Sequence, residues 1–519
     1  MCGIAAAYGA HAARETERML DRLVHRGPDD EGEVRVDGAW LGHRRLSIVD
    51  VGGGRQPFAN ASGDVWLVGN GEVYNHEQVR ATLSSAPFAT RSDNEVALHL
   101  LDERGPAALD ELEGMFAFLV AAQDGRFIAA RDPVGIKPLY WARPPCPPGP
   151  PGRNGRVRFA SEMSAFAPDW MPYVEAFPPG CHWTPENGVV RFASAVPQNG
   201  EGAPAAAAVW SPDAEPPAAA LAATRKILVG SVQRQMMGDV PVGVFLSGGL
   251  DSAIVAAIAA RHLARSGERL KTFAVGTQDS ADLLAARVVA RHLDSEHHER
   301  VYDSAEAVRA LPDVVRAIEH FDPSLVRSAV PNFLLAEMTA QHVKVVLTGE
   351  GADELFAGYE YLRGFDSAEA LQTELMRTVH GLHNLNLQRC DRVTMAHGLE
   401  ARVPFLDRQV IAFAFGLPMA WKQSAPGELE KRLLRRAFDG WLPEEILWRV
   451  KAEFGDGSGA RDVLTSTVEA GVSAADFTRE RETIDPPLRT REEFAYHRIF
   501  AEHLPGVRPE ATLGRFATA

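Results

Sequence analysis

Residues 239–252 read DVPVGVFLSGGLDS. Val240–Leu246 is a short apolar run, and such runs closed by glycine form buried strands. Two glycines follow Ser247, and then a long stretch without a helix breaker. A strand, a tight turn and a helix from about Ser252 to Arg265 are therefore expected in succession. A Gly-rich turn at a helix start aims successive N–H groups at one spot, at the positive end of the helix dipole. That arrangement holds pyrophosphate oxygens. Asp251 adds a hard carboxylate for Mg²⁺, and Ser247 and Ser252 add hydroxyl donors. The G-x-x-x-x-G-K-[ST] phosphate loop is absent, so this is a different kind of phosphate site.

Downstream the strand-like pattern recurs in LKTFAVG (270–276) and KVVLTG (344–349), with longer helical stretches between. Short apolar strands alternating with helices predict a doubly wound parallel sheet, an α/β domain over 221–510. Open α/β sheets bind ligands at the carboxyl ends of their strands. LTGEGADE (347–354) should therefore share one crevice with the first loop, with Asp353 and Asp251 sharing magnesium. Glu350 is set to act as acid/base when an amine attacks an acyl-adenylate. Further on, Lys451 in WRVKAEFGDGSG (448–459) has the character to neutralise pyrophosphate in a transition state.

Upstream, VPQNGEGAPAAAAVWSPDAEPPAAA (196–220) has the low complexity of a connector. Residues 2–195 before it read as short strands with turns, among them VWLVGN (65–70), MFAFLVAA (115–122), RFIAARD (126–132) and RVRFAS (156–161). Helical stretches fall near 12–24 and 92–104, the second with Ser92 as a cap and Glu95 three residues on. This predicts a two-sheet α+β domain. ARPPCPPGPPGRNG (142–155) reads equally as a long hairpin loop or a boundary.

Cys2 opens this domain, ahead of Gly3 and the apolar run Ile4–Tyr8. With Met1 removed, Cys2 carries a thiol beside an α-amine whose pKa lies near ~7.7–8.0, low enough to serve as the thiol's general base. Segments that follow supply the groups a glutamine site needs. Arg45 can clamp an α-carboxylate, Glu72 and Asp93 can take an ammonium, and Asn70-Gly71 offers a side-chain amide and a backbone N–H for an oxyanion.

The net charge of −15 argues against nonspecific nucleic-acid binding, which needs a basic footprint. No apolar run reaches the roughly 18–20 residues of a membrane span, and the first residues lack a signal peptide's basic and apolar regions. A cytoplasmic protein that starts at Met1 is expected. The four cysteines are scattered without C-x-x-C pairing, against a zinc site or a disulfide framework.

HRGPDDEG (25–32), GHRRLSIVD (42–50), GNGEVYN (69–75), TRSDNEV (90–96), LEGMFAF (112–118) and RDPVGIKPLY (131–140) occur in that order. Together with Cys2 they resemble the glutamine-hydrolysing domain of the class II amidotransferases, an N-terminal-nucleophile fold with two antiparallel sheets between helices. SGGLDS, LTGEGADE, GLEARVPFLD (398–407) and the Lys451 segment resemble the ATP-pyrophosphatase synthetase domain of the asparagine synthetase B family. The resemblance covers most of residues 1–503. It implies Cys2 as nucleophile, and a glutamine pocket of Arg45, Leu46, Ser47, Ile48, Val49, Asn70, Gly71, Glu72 and Asp93. It implies an ATP site of Leu246, Ser247, Gly248, Gly249, Asp251, Ser252, Val275, Thr348, Gly349 and Lys451. It also makes 142–155 a hairpin insertion and implies a homodimer. The implied reaction takes glutamine, ATP and aspartate to asparagine, glutamate, AMP and pyrophosphate.

One segment departs from the family pattern. After Phe321-Asp322 the family is Thr-rich where it holds the acceptor, and here the chain reads PSLVRSAV (323–330). Arg327 survives as a clamp for the acceptor's carboxylate. A site short of hydroxyl partners can take a specialised carboxylic acid instead of aspartate. A protein whose ATP site only regulates is a third reading.

Overall fold

The computed structural model describes residues 2–11, 13–36, 38–84, 87–145, 156–197, 215–424, 427–450 and 461–516. Its amino-terminal part holds twelve strands. β1 (Cys2–Tyr8), β2 (Asp30–Val36), β3 (Ala39–Arg45), β8 (Tyr140–Ala142), β9 (Val157–Ala160) and β10 (Val174–Ala176) form one sheet in the order β10-β8-β9-β1-β3-β2. β4 (Phe58–Ala59), β5 (Val65–Val73), β6 (Gly114–Ala122), β7 (Phe127–Arg131), β11 (Cys181–Thr184) and β12 (Gly188–Arg191) form the other, in the order β12-β11-β7-β6-β5-β4. Every pairing in both sheets is antiparallel.

Period-2 alternation explains how these strands stack. Ile4 and Ala6 of β1 meet Val68, Ala117 and Leu119 of the opposite sheet in one core. Ala5 and Ala7 face the other way, onto Met19, Leu20 and Leu23 of and after helix α1 (Ala13–Asp21). On the far side, Leu67, Phe116 and Phe118 pack against α3 (Glu95–Arg104), which follows α2 (His76–Thr82). The predicted layering of two antiparallel sheets between helices is thus present. The Pro-rich stretch joins β8 to β9, which pair with Tyr140 opposite Ala160, so it is the loop of a hairpin.

The carboxy-terminal part holds β13 (Val242–Phe245), β14 (Lys271–Gly276), β15 (Glu296–Val301), β16 (Val345–Leu347) and β17 (Glu400–Arg402) in one sheet, ordered β15-β14-β13-β16-β17 and wholly parallel. The order reverses between β13 and β16, and ligands bind at such a switch point. α4 (Ala218–Gln235) begins inside the stretch read as a connector, most of which lies outside the described residues. α5 (Leu250–Leu263) follows β13 directly and buries Ala253–Ala259 without a break. It starts two residues earlier than the sequence suggested.

A single apolar cluster contains Leu46, Met115 and Tyr140 from the first part with Val244, Val346 and Leu387 from the second. Between them runs α11 (Asn386–Met395), preceded by α6 (Ala281–His292), α7 (Ser304–Ile318), α8 (Pro323–Thr339), α9 (Ala352–Leu355) and α10 (Ala368–Gly381).

Candidate active sites

Cys2 is the first residue of β1, buried and opposite Arg45 of β3. Its backbone N–H donates to Asn70 Oδ1 at 2.9 Å. Asn70 Nδ2 is buried with no hydrogen-bond partner among the described residues, an arrangement that a substrate oxygen would satisfy. Asn70, Gly71 and Glu72 lie within strand β5, which continues past the expected strand end at Asn70 to Val73. Gly71 has φ +145, and a Cβ there would stand 1.9 Å from the Met115 carbonyl oxygen, so the position excludes a side chain. Asn94 Nδ2 donates to the Gly71 oxygen at 2.9 Å.

The two acids of this site are buried together. Burial, then the nearby Glu400 and Asp93 charges, push the Glu72 carboxyl well above its ordinary value. Arg402 stands 3.4 Å from it. Burial also raises Asp93, which accepts the Val73 N–H at 2.7 Å. Burial pushes the Cys2 thiol up as well, so its thiolate does not stand ready.

Arg45 spends its guanidinium on the loop after β3, donating to the carbonyls of Val49 (3.3 Å), Asp50 (2.8 Å) and Val51 (3.2 Å). The same loop is pinned twice more. Ser47 N donates to Asp29 at 2.7 Å, and Asp239 both accepts from Asp50 N (2.8 Å) and donates to Ile48 O (2.9 Å). Leu46 and Ile48 are buried while Val49 is half-buried. Arg45 thus braces the glutamine-loop candidate residues through their backbone.

At the second site the two predicted loops touch. Gly349 approaches so closely that a Cβ would lie 2.9 Å from Asp251 Cβ. Ser247 Oγ and Ser252 Oγ are 3.0 Å apart, and Gly248, with φ +73, turns the chain against Ala285 of α6. Leu246 and Val275 are buried at the carboxyl ends of neighbouring strands, and Leu246 N donates to Phe273 O at 2.7 Å. Thr348 Oγ1 accepts the Glu350 N–H at 3.4 Å. Arg449 reaches Gly248 O (3.2 Å) and Asp282 (2.9 Å).

Asp251 and Asp353 converge on one cation, which is Lys431: its Nζ lies 2.5 Å from the first carboxylate and 2.7 Å from the second. Burial would lower this ammonium, but the two carboxylates outweigh that and hold it above the ordinary lysine value. The Lys431 ammonium fills that point, so a magnesium held by these two carboxylates, which are donors of the right kind, would have to displace it. Among the described residues no third acid, histidine or cysteine completes a protein-only cage.

Glu350 is in contact with Arg389, which also donates to Ser328 Oγ at 2.8 Å. Arg327 sits one residue away on α8, 3.5 Å from Glu492 and 3.3 Å from Ser324 Oγ. Asp322 caps α8 through the N–H groups of Ser324 and Leu325, so it holds the helix start. Lys451 lies outside the described residues.

Sequence reasoning missed Lys431, Arg389 and Arg402. Lys431 stands among other bases in EKRLLRR, and nothing local marks its φ of +56. Arg402 falls in GLEARVPFLD, a segment singled out without a role for that residue.

Comparison with known proteins shows the family of the chain. The asparagine synthase family model matches residues 223–367 and 363–511, and the glutamine amidotransferase domain model matches residues 1–176. Asparagine synthetase [glutamine-hydrolyzing] 3 of Arabidopsis thaliana is 37% identical over 541 residues, covering 99% of this chain and 89% of that one. The probable asparagine synthetase of Schizosaccharomyces pombe is 38% identical, covering 97% and 94%. The asparagine synthetase of Zea mays is 37% identical, covering 97% and 86%. The chain therefore belongs to the asparagine synthase family, with a glutamine amidotransferase domain at its amino-terminal end.

Proposed function

We propose that this protein is a glutamine-hydrolysing ligase that makes asparagine from aspartate and ATP, releasing AMP and pyrophosphate. The observation that carries this reading is the pair of sites on one chain: Cys2 against Asn70, and the Ser247–Ser252 loop against the Thr348–Glu350 loop. The names of its full-length relatives favour aspartate over a specialised acid. The division into a glutaminase domain over 2–195, a linker over 196–220 and a synthetase domain over 221–510 belongs to the same proposal.

In this mechanism the Cys2 sulfur attacks the glutamine amide carbon, the C–N bond breaks to release ammonia, and water then hydrolyses the γ-glutamyl thioester to glutamate and frees the thiol. Burial raises the thiol, so its proton must leave during attack, to the α-amine that Cys2 carries once Met1 is removed. Asn70 Nδ2 and a Gly71 N–H stabilise the oxyanion, the loop that Arg45 braces through its backbone holds the substrate carboxylate, and Glu72 and Asp93 face its ammonium. At the other site the acceptor carboxylate displaces pyrophosphate from ATP. Backbone N–H groups of Ser247–Gly249 hold the phosphates, Lys431 and Lys451 offset their charge, and Leu246, Val275 and Gly349 border the nucleoside. Asp251 and Asp353 would hold magnesium, which would supply further charge neutralisation on the phosphates. Ammonia then attacks the acyl-adenylate with Glu350 as acid/base and Arg327 near the acceptor.

A cytoplasmic setting is supported by the free thiols of Cys2, Cys181 and Cys390. No described helix is long and apolar enough to cross a membrane. A homodimer is part of the proposal by family likeness, and sedimentation measures it. The test of function is incubation with glutamine, ATP and aspartate, with asparagine read by mass and pyrophosphate by coupled assay. Turnover with another carboxylic acid and none with aspartate would replace the acceptor.

A further inference from the structure

Helix α11 is buried along its whole length, yet its composition is not that of a core helix. All ten residues are buried, and six are polar or charged: Asn386, Gln388, Arg389, Asp391, Arg392 and Thr394. Burying charge is costly unless each group is paired, so the partners of these side chains explain the helix. They come from both parts of the chain.

Asp391 accepts from both terminal nitrogens of Arg26, at 2.8 and 3.3 Å. Arg26 is fully buried, and its Nε donates to the carbonyl oxygen of Cys2 at 3.1 Å. Arg389, two residues earlier on α11, contacts Glu350 and Ser328. Two residues advance a helix by about 3 Å and rotate it by roughly 200°. Asp391 and Arg389 therefore leave opposite sides of the same short rod, one toward each site. The rod is clamped elsewhere too. Asn386 Nδ2 donates to Glu354 at 3.3 Å and Gln388 Nε2 to Ile318 O at 2.9 Å, while Arg392 lies 2.7 Å from Glu162 and 3.0 Å from Glu319. Packed elements of this kind shift as units rather than deforming locally.

We propose that α11 transmits occupancy of the synthetase site to the glutaminase site, with Asp391 as the positioning residue. Ligands that move Glu350 move Arg389 and hence α11. Asp391 then carries Arg26, and with it the Cys2 carbonyl and the start of β1. The inference rests on the amidotransferase reading above.

The test is Asp391→Asn in the full-length chain, which keeps the shape and removes one of the two carboxylates that hold Arg26, the other being Glu162 at 2.7 Å. Glutamate, asparagine and pyrophosphate are measured in one reaction. Glutamine hydrolysis is measured with and without ATP plus aspartate, and synthesis is measured separately from ammonium chloride. The glutamate-to-asparagine ratio should rise about threefold or more over the parent, a change within the usual range of coupling between sites. The response of glutamine hydrolysis to ATP plus aspartate should flatten, and ammonium-dependent synthesis should stay within about twofold of the parent. Asp391→Glu, which keeps the charge but moves it by one methylene, should give an intermediate ratio. It serves as the test by itself if Asp391→Asn does not fold. A ratio equal to the parent's overturns the proposal. So does a parallel fall of both half-reactions tracking a lower thermal midpoint, which marks a structural role only. A parent protein that forms neither glutamate from glutamine nor pyrophosphate with any carboxylic acid removes the amidotransferase reading itself, and that is seen before any variant is made.

Discussion

Asn70 carries two jobs with one amide: its oxygen accepts the Cys2 N–H, and its buried Nδ2 has no hydrogen-bond partner among the described residues. In the proposed mechanism, replacing it with alanine removes an oxyanion donor, and such a loss costs about 10²–10³ in turnover. Asn70→Ala should therefore lower glutamine hydrolysis by that factor while synthesis from ammonium salts continues, as steady-state assays of each will show. Glu354 makes a different single-residue case. Burial first, then the charge of Asp353, hold its carboxyl at about 7 against an ordinary 4.5, although the Tyr359 hydroxyl donates to it at 2.7 Å. A carboxyl raised in this way contributes fully to stability below its ordinary value, and that contribution is lost as the pH climbs through 7. The loss amounts to about 3 kcal/mol across the window. Glu354→Gln imitates the protonated acid, so parent and variant should differ little in thermal midpoint near pH 5. The variant should lead at pH 8.5. Equal midpoints at both values would contradict the assignment.

Elements were legible wherever the pattern was local. The strand–turn–helix at 240–263 follows from an apolar run and its breakers, whereas 142–155 reads equally as a loop or a boundary until the family resemblance makes it a hairpin; both are present. The strand expected over 65–70 runs on to Val73, because β6 alongside keeps β5 extended through Gly71 and Glu72, where glycine and charge are poor strand signals. Tertiary pairing overrode the local signal there. Helix α11 was illegible for the opposite reason: NLQRCDRVTM looks like a solvated helix, and only the partners from distant segments make it an interior one. The loop–lysine arrangement at Asp251, Asp353 and Lys431 joins positions up to 180 residues apart in the chain, beyond the reach of any motif. Lys431→Met should leave two facing carboxylates without their shared cation. ATP-dependent synthesis should fall by about two orders of magnitude or more, with glutamine hydrolysis kept. Pyrophosphate release and glutamate formation, assayed side by side, separate the two effects.

At the scale of the molecule, the apolar cluster that spans Leu46, Met115, Val244 and Leu387 has no seam between the two parts. Calorimetry should accordingly record one cooperative unfolding transition, and two well-separated transitions would refute a shared core. The two chemistries should nevertheless be separable by substitution. Cys2→Ala should abolish use of glutamine and spare synthesis from ammonium chloride, and Asp251→Asn should do the converse. Product analysis of both variants against the parent decides the point.

Arg402 gives the contact between the halves a further meaning. Its guanidinium, rooted in the last strand of the parallel sheet, is shared between Glu400 of that strand at 2.5 Å and Glu72 in the other half at 3.4 Å, and it also holds Gln235 O and Met237 O. An amino-terminal half spliced onto a foreign partner would inherit Glu72 and Asp93 as neighbouring buried acids and lack the cation that balances them. This half is consequently a poor cassette for modular exchange: any successful graft has to bring an arginine in from outside, at the height of Glu72.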